Sequence, residues 1–457
     1  MSFDFIKDKN KKIHFIGIGG ISMSGLAEIL LKNGFQVSGS DMKASYSTER
    51  LEKQGAQIFI GHSASNIRAC DLVVYTAAIS KDNEELLEVD KRQIPKMDRA
   101  EFLGEIMKGH KYNVAIAGTH GKTTTTSMVS HIILEEKLDP TILVGGQLDI
   151  IKGNVRAASS DYFITEACEY KGSFLKFYPN VGVVLNIEAD HLDYYKDIDE
   201  IEAAFLKFAK LIPDDGYLIG NSEDERVNNI ISKVNCNVIT FGLNTGDVHI
   251  QNLTLKNNGG STFDLIFKGA TLGSVSLNVP GRHNIMNALA SIAAALCLKV
   301  SFASIANGLF EFYGTHRRFE IKGTKAGVTV VDDYAHHPTE IKAALSAAKN
   351  YPHNRIVCVF QPHTYTRTYS LFQEFTKAFY DADKVILTDI YAAREKDTGL
   401  VSSLKLSEEI KATGSDCIYI SDFASIVAHL QNTLQDNDLL ITVGAGDVYE
   451  IGEMYLK

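Results

Sequence analysis

The stretch Gly118-Thr-His-Gly-Lys-Thr-Thr124 places two glycines, a lysine and adjacent hydroxyls between an apolar run, "NVAIA" at 113–117, and a helical pattern. Backbone N–H groups at a helix start face an anion, and glycine lets the chain approach it closely. Here Gly118, Thr119, His120, Gly121, Lys122, Thr123 and Thr124 are expected to cradle a nucleoside triphosphate. Lys122 would reach the outer phosphates and act in catalysis, and the Thr123 hydroxyl would ligate Mg²⁺. The common phosphate-loop pattern has a glycine five residues before the Gly of Gly-Lys-Thr. That position is Ile116, so the loop begins late. The competing reading is a tight strand-to-helix turn with a surface lysine.

A bound nucleotide needs metal ligands nearby. Glu166 ends the apolar run "YFIT", with Glu169 three residues on, and Glu188, Asp190, His191 and Asp193 follow "VGVVLNI". Ligands collect at the carboxyl ends of parallel strands, so these groups are expected above the phosphate loop. Glu166 is the preferred Mg²⁺ ligand, a hard oxygen for a hard cation. His191 is a second candidate for metal or phosphate. A lone carboxylate after a strand otherwise caps a helix.

A second glycine loop, "GIGGISMSG" at 17–25, lacks the third glycine of a dinucleotide fingerprint, because Ser22 stands there. Gly17, Gly19 and Gly20 still suit a diphosphate, and Asp41, ending "SGSD", could hold a ribose or base. A plain helix-packing turn is the alternative. Farther on, "GRHNIMNA" (281–288) sets His283, Asn284 and Asn287 at the head of an apolar helix. "VDDYAHHPTEI" (331–341) puts Asp333 and two histidines before a helix started by Pro338. Adjacent histidines do not easily share one tetrahedral zinc. "QPHTYTRT" (361–368) brings His363 and Arg367, and Arg367 suits a carboxylate or phosphate, or else a surface ion pair.

The elements that must position these residues are short apolar runs alternating with helical periods. "IHFIGIGG", "FQVSGSD", "QIFIGH" and "DLVVYTAA" imply a doubly wound parallel sheet, and "KMDRAEFLGEIMKGHK" reads as a helix leading to a boundary near Gly109. A second α/β unit opens at the phosphate loop. Between 236 and 280 the pattern changes to alternating strands, with "NNGG" at 257–260 as a hairpin turn, so an antiparallel ribbon is expected there. A third set of strands follows: "GVTVVDDY", "RIVCVFQPH", "KVILTDIYAA", "DCIYISD" and "DLLITVGAGD". The reading is three tandem α/β domains. These are a Rossmann-like domain at 1–109, a P-loop ATPase-like domain with an antiparallel β ribbon at 110–313, and a Rossmann-like domain at 314–457.

The 457 residues suffice for three cores. Hydrophobic residues at 45% and charged ones at 22% fit a soluble globular protein. With 46 basic against 56 acidic side chains, the net charge of −10 argues against a nucleic-acid partner. The longest apolar run, "IAAALCL", is too short for a membrane span, and the first residues have no apolar signal core. Six cysteines without a CxxC pair suggest free thiols in a cytoplasmic protein.

Eight motifs occur in order along the chain: "GIGGISMSGLAEIL", "AGTHGKTTTT", "EACEYKGSFL", "NIEADHLDYY", "PGRHNIMNALA", "HRRFE", "DDYAHHPTEI" and "FQPHTYTRT". Together they resemble the Mur ligase family. The resemblance implies an ATP- and Mg²⁺-dependent ligase of peptidoglycan precursor synthesis. It would join L-alanine to the muramoyl carboxylate of UDP-N-acetylmuramate through an acyl phosphate. The alternative within the family is a sibling that attaches a recycled murein peptide to the same UDP sugar. The resemblance places Gly17, Gly19 and Gly20 on the UDP-sugar diphosphate, and Lys122 and Thr123 on ATP. Glu166 and His191 fall at metal positions. It puts His283, Asn284 and Asn287 on the adenine side, Asp333 near the nucleotide, and His363 and Arg367 toward the amino-acid and muramoyl carboxylates. Two departures are Cys168, where relatives often have a carboxylate, and Ala189, where they often have proline. A carbamylated lysine found in several relatives has Lys207 as its nearest candidate. A monomer or homodimer is expected, with small-molecule partners only.

Overall fold

The computed structural model describes residues 3–5, 7–76, 79–257, 259–393, 395–397 and 399–457. It divides into two compact units. The first holds Met1–Ile187, Ile201–Thr240 and Ala290–Ile305; the second holds Glu188–Glu200, Phe241–Leu289 and Ala306–Lys457.

The first unit contains two sheets. Strands β1 (Lys12–Ile16), β2 (Gln36–Asp41), β3 (Gln57–Ile60), β4 (Leu72–Tyr75) and β5 (Lys96–Asp98) form an all-parallel sheet in the order β3-β2-β1-β4-β5. The order reverses beside β1, where a crevice forms at the carboxyl ends of a doubly wound sheet. The helix read from "KMDRAEFL" starts later than the sequence suggests, at Arg99–Met107. Lys96–Asp98 instead pair with β4, a three-residue edge strand too short to show a period. Asp98 stops the strand by capping the helix, accepting from the N–H groups of Ala100 and Glu101, while Glu101 reaches back to the Asp98 N–H.

The second sheet carries β6 (Tyr112–Ala117), β7 (Thr141–Leu148), β8 (Gly153–Arg156), β9 (Tyr162–Glu166), β10 (Val181–Val184) and β11 (Tyr217–Asn221). Their order is β11-β10-β6-β9-β7-β8, parallel except for the β7–β8 hairpin, which the sequence reading passed over. The phosphate-loop helix, Lys122–Glu135, is buried from Thr124 to Ile133, and Ser291 bonds the Thr125 carbonyl at 3.3 Å. Phe174 packs edge-on against Phe205 and stacks on Phe208, with centroids 5.2 and 5.0 Å away.

The first unit ends with most of β12 (Asn237–Phe241), and the second unit holds an antiparallel ribbon of β13 (Val248–Leu255), β14 (Ser261–Phe267) and β15 (Ala270–Leu277), as the alternation implies. Of the expected "NNGG" hairpin turn, Asn258 lies outside the described residues. The last sheet runs β16 (Glu320–Lys325), β17 (Val328–Asp333), β21 (Leu439–Val443), β18 (Ile356–Phe360), β19 (Lys384–Leu387), β20 (Cys417–Tyr419). Only β16 is antiparallel, a half-exposed edge hairpin absent from the sequence reading. The helix Pro338–Ala348 starts where Pro338 suggests, with His337 as cap and Glu340 closing the box. Three α/β assemblies thus follow one another along the chain. No helix among the described residues is long and apolar enough to cross a membrane. All six cysteines are free thiols.

Within the first unit, the loop after β9 docks on the helix Arg99–Met107. Lys176 pairs with Asp98 and, at 3.2 Å, with Glu101. Gly104 makes that approach possible, because a Cβ there would lie 2.1 Å from the Lys176 carbonyl oxygen. Gly104→Ala gains helix propensity of about 1 kcal/mol, but overpacking against a fixed backbone costs about 1–3 kcal/mol. A net fall in the unfolding midpoint in urea is expected.

Candidate active site

The glycine loop at 17–20 is shaped by contacts that leave no room for side chains. Gly17 has φ +83°, and a Cβ there would meet the Thr76 Cγ2 at 2.6 Å. Its N–H and that of Ile18 donate to the Ser40 carbonyl. Gly19 donates its N–H to the Asp41 Oδ2 at 2.8 Å, and a Cβ on Gly19 would lie 2.9 Å from the same atom. Asp41 thus braces the turn, in addition to any ligand it holds. Gly20 starts the helix Ile21–Lys32 and offers no side-chain cap to its first N–H groups.

The phosphate loop obeys the same constraint. Gly118 has φ +147°, and a Cβ would sit 2.8 Å from the Leu185 Cβ; Gly121, at φ +85°, starts the helix. Asn186, which sequence reasoning missed, clamps the loop to the end of β10. Its Oδ1 accepts from the His120 N–H at 2.8 Å, its Nδ2 donates to the His120 carbonyl at 3.2 Å, and its own carbonyl accepts from Thr119. The available signal was an Asn directly after an apolar run beside the candidate ligands.

Lys122 folds back over the loop. Its Nζ bonds the carbonyl of Gly118, that of Thr119 at 3.0 Å, and the Glu169 Oε2 at 3.0 Å. Burial works against this ammonium, yet the Glu169 carboxylate, then Cys168 and Glu166, outweigh it and raise its pKa. It stays charged throughout the physiological range. Burial and the Glu169 charge push the Cys168 thiol up to about 11, so Cys168 stays protonated. Glu166, at the end of β9, is half-buried, and its Oε1 accepts the Gly145 N–H at 2.6 Å. A Cβ on Gly145 would crowd both carboxylate oxygens at 3.0 Å. One N–H engages one lone pair of a carboxylate that has about four, which orients Glu166. The first unit therefore brings Lys122, Glu166, Glu169 and the loop amides to neighbouring strand ends.

In the second unit, residues 188–190 engage the start of the helix Pro338–Ala348 and the helix Tyr365–Ser370. Glu188 accepts from the Thr339 hydroxyl at 2.6 Å, the Ala189 carbonyl lies 3.2 Å from the His337 Nε2, and Asp190 pairs with Arg367 at 3.1 Å. His337 thus caps the helix and lies beside the Ala189 carbonyl. Burial alone would raise the Asp190 carboxyl, but Arg367, His191 and His336 hold it well below the usual carboxylate range. His191 adopts φ +54° and receives the N–H groups of Tyr194 and Tyr195 on its carbonyl. His363 accepts an Arg367 N–H on Nδ1 at 3.2 Å and stacks on Tyr391, with centroids 5.6 Å apart and planes at 15°.

Asn284 and Asn287 are buried and joined side chain to side chain at 3.1 Å, with Asn284 also donating to the Pro280 carbonyl at 2.7 Å. His283 stands exposed at the same helix start. Asp333, at the end of β17, accepts N–H groups from Phe319 and Ala335, both at 2.8 Å. Its carboxyl is pushed up to about 6 by burial, against Arg318 and those two donors.

Burial lowers His131, His336 and His363 to about 4 from 6.5. Between those values the unfolded chain binds protons that the folded chain refuses, so stability rises with pH in that window. Asp333, pushed up to about 6, and Asp332, also raised by burial, oppose the trend. The unfolding midpoint is expected to drop as pH falls from 6.5 toward about 4, and His336→Gln to make that drop shallower, measured by denaturant titration at stepped pH.

The comparisons agree along the whole chain. Residues 12–111 match the Mur ligase family, catalytic domain; residues 116–295 match the Mur ligase middle domain; residues 317–446 match the Mur ligase, glutamate ligase domain. The chain is 64% identical to a UDP-N-acetylmuramate–L-alanine ligase of Clostridium kluyveri over the full length of both. Among solved structures, the UDP-N-acetylmuramate–alanine ligase of Thermotoga maritima is 31% identical with a TM-score of 0.82, over 98% of each chain. A murein peptide ligase of Psychrobacter arcticus is 26% identical with a TM-score of 0.71, also over 98% of each. With its three segments matched in order to the family's three domains, the chain belongs to the Mur ligase family.

Proposed function

We propose that the chain is an ATP-dependent ligase that joins L-alanine to the muramoyl carboxylate of UDP-N-acetylmuramate, in peptidoglycan precursor synthesis. The observation that carries this is full-length identity of 64% to an alanine-adding ligase, against 26% to a murein peptide ligase. In this reading residues 1–109 take the UDP sugar, with its diphosphate on Gly17, Gly19 and Gly20 and its ribose or base toward Asp41. Residues 110–313 bind ATP through the phosphate loop, with His283, Asn284 and Asn287 on the adenine side. Residues 314–457 close the site, with Asp333 toward the nucleotide and His363 and Arg367 toward the amino-acid and muramoyl carboxylates. Nucleotide substrates and free thiols suit the cytoplasm.

A carboxylate is a poor electrophile, so it must first acquire a leaving group. A muramoyl carboxylate oxygen attacks the γ-phosphorus of ATP and ADP leaves. The free amine of L-alanine then attacks the acyl carbon, inorganic phosphate departs, and the nitrogen gives up one proton to leave the amide N–H. Two polyanions and a third carboxylate must meet, so the chain's task is neutralisation and placement. Lys122 trades the Glu169 carboxylate for the γ-phosphate, while the Gly118–Gly121 amides and the helix start hold the inner phosphates. Glu166, the Thr123 hydroxyl and His191 would hold Mg²⁺, which supplies further positive charge. Water is excluded because it would hydrolyse the activated acyl group.

Phosphate release from ATP, with UDP-N-acetylmuramate and a panel of amino acids, tests the reading. Release is expected with L-alanine and not with a murein tripeptide; the reverse would indicate the recycling sibling. Lys122→Ala should lose on the order of a hundredfold or more in kcat while keeping its circular dichroism. Near-normal turnover in that variant would sink the assignment of the loop.

A further inference from the structure

Resting on the proposed alanine-adding reading, the geometry points to Asp190 as a positioning residue that sets Arg367 for the carboxylate of the amino acid and ties that clamp to His191. Asp190 Oδ1 accepts two N–H groups, from the backbone of His191 at 2.8 Å and from Arg367 Nε at 3.1 Å. Its Oδ2 takes the Arg367 Nη2 at 3.5 Å. One carboxylate thus occupies the Nε–Nη2 edge of the guanidinium. The opposite nitrogen, Nη1, meets the His363 Nδ1 at 3.2 Å and the His363 carbonyl at 3.4 Å. A guanidinium carries five N–H donors in one plane. Asp190 engages only one of the two Nη2 hydrogens, and the second, with Nη1 beside it, forms the guanidinium end on which an incoming carboxylate would dock.

Side-chain exposures of 9% for Asp190 and 12% for Arg367 make the pair a buried one, which fixes geometry more than it adds stability. The long arginine side chain is therefore ordered before the substrate arrives, and binding does not have to order it. Asp190 is itself held, since the two residues before it contact Thr339 and His337. The Oδ1 bond to His191 also supports that residue at φ +54°. One atom thereby joins the candidate metal ligand to the candidate carboxylate clamp.

Steady-state KM values for L-alanine and ATP should be measured in wild type, Asp190→Asn, Arg367→Ala and the double variant. Asparagine keeps an acceptor for the His191 N–H and removes the charge facing Arg367. Asp190→Asn is expected to raise KM for L-alanine about tenfold, with kcat and ATP KM within about threefold. In the Arg367→Ala background the same change should move KM for L-alanine less than about twofold. An unchanged KM overturns the proposal, and so does a loss confined to kcat. A lowered KM would mean that Asp190 competes with the substrate carboxylate, and an equal effect without Arg367 would mean that the two act independently; both overturn it. If Asp190→Asn unfolds, Asp190→Glu must show the same selective rise in KM. Absence of alanine-dependent phosphate release from wild type would instead refute the reading on which the inference stands.

Discussion

An ammonium group held inside a protein needs a negative partner, and around Lys122 much of the first unit is arranged to satisfy that need. Its side chain is 15% exposed and that of Glu169 is 3%, so the pair sits away from bulk water. Removing one member would strand a buried charge, which is far costlier than the pair is stabilising. Such a site is poised for exchange. In the proposed reading an incoming polyphosphate takes over the role of Glu169 at the helix start. The glycines follow from the same demand, because the loop can lie against Leu185 only without a Cβ at Gly118. Asn186 then locks the loop, and Gly145 orients Glu166.

The first sheet meets a similar problem with different parts. No lysine stands in the 17–20 turn; the turn relies on backbone N–H groups, a brace from Asp41 and the close approach of Gly17 to Thr76. In the proposed reading the first turn holds a diphosphate without activating it, and the phosphate loop, with its ammonium and acidic neighbours, holds the one that is broken. In the second unit the same logic returns with a guanidinium, whose planar donors select a carboxylate where an ammonium would select only charge. There Asp190 provides the counter-charge that Glu169 provides for Lys122.

Much of this was legible from residue types. The strand-to-helix context of both glycine loops, the acidic residues after β9 and β10, the ribbon and the proline-started helix all stand where their patterns place them. Each is a local signal, carried by backbone propensity and by side chains a few residues apart. The misses share an opposite character. The edge strands β5 and β16 are short or half-exposed, and their pairing comes from a neighbour rather than from their own period. The β7–β8 hairpin is likewise stabilised by what lies beside it.

Chemistry-bearing residue types and their order along the chain were therefore settled by the sequence, because strand, turn and helix signals are local. Tertiary structure alone decided the partners. Lys122 meets Glu169 forty-seven residues on, Arg367 meets Asp190 across 177, and Gly104 must be glycine because of a carbonyl at Lys176. No short-range rule reports such pairings, since they depend on which strand ends the sheet order brings side by side and on which groups burial then forces to share a charge.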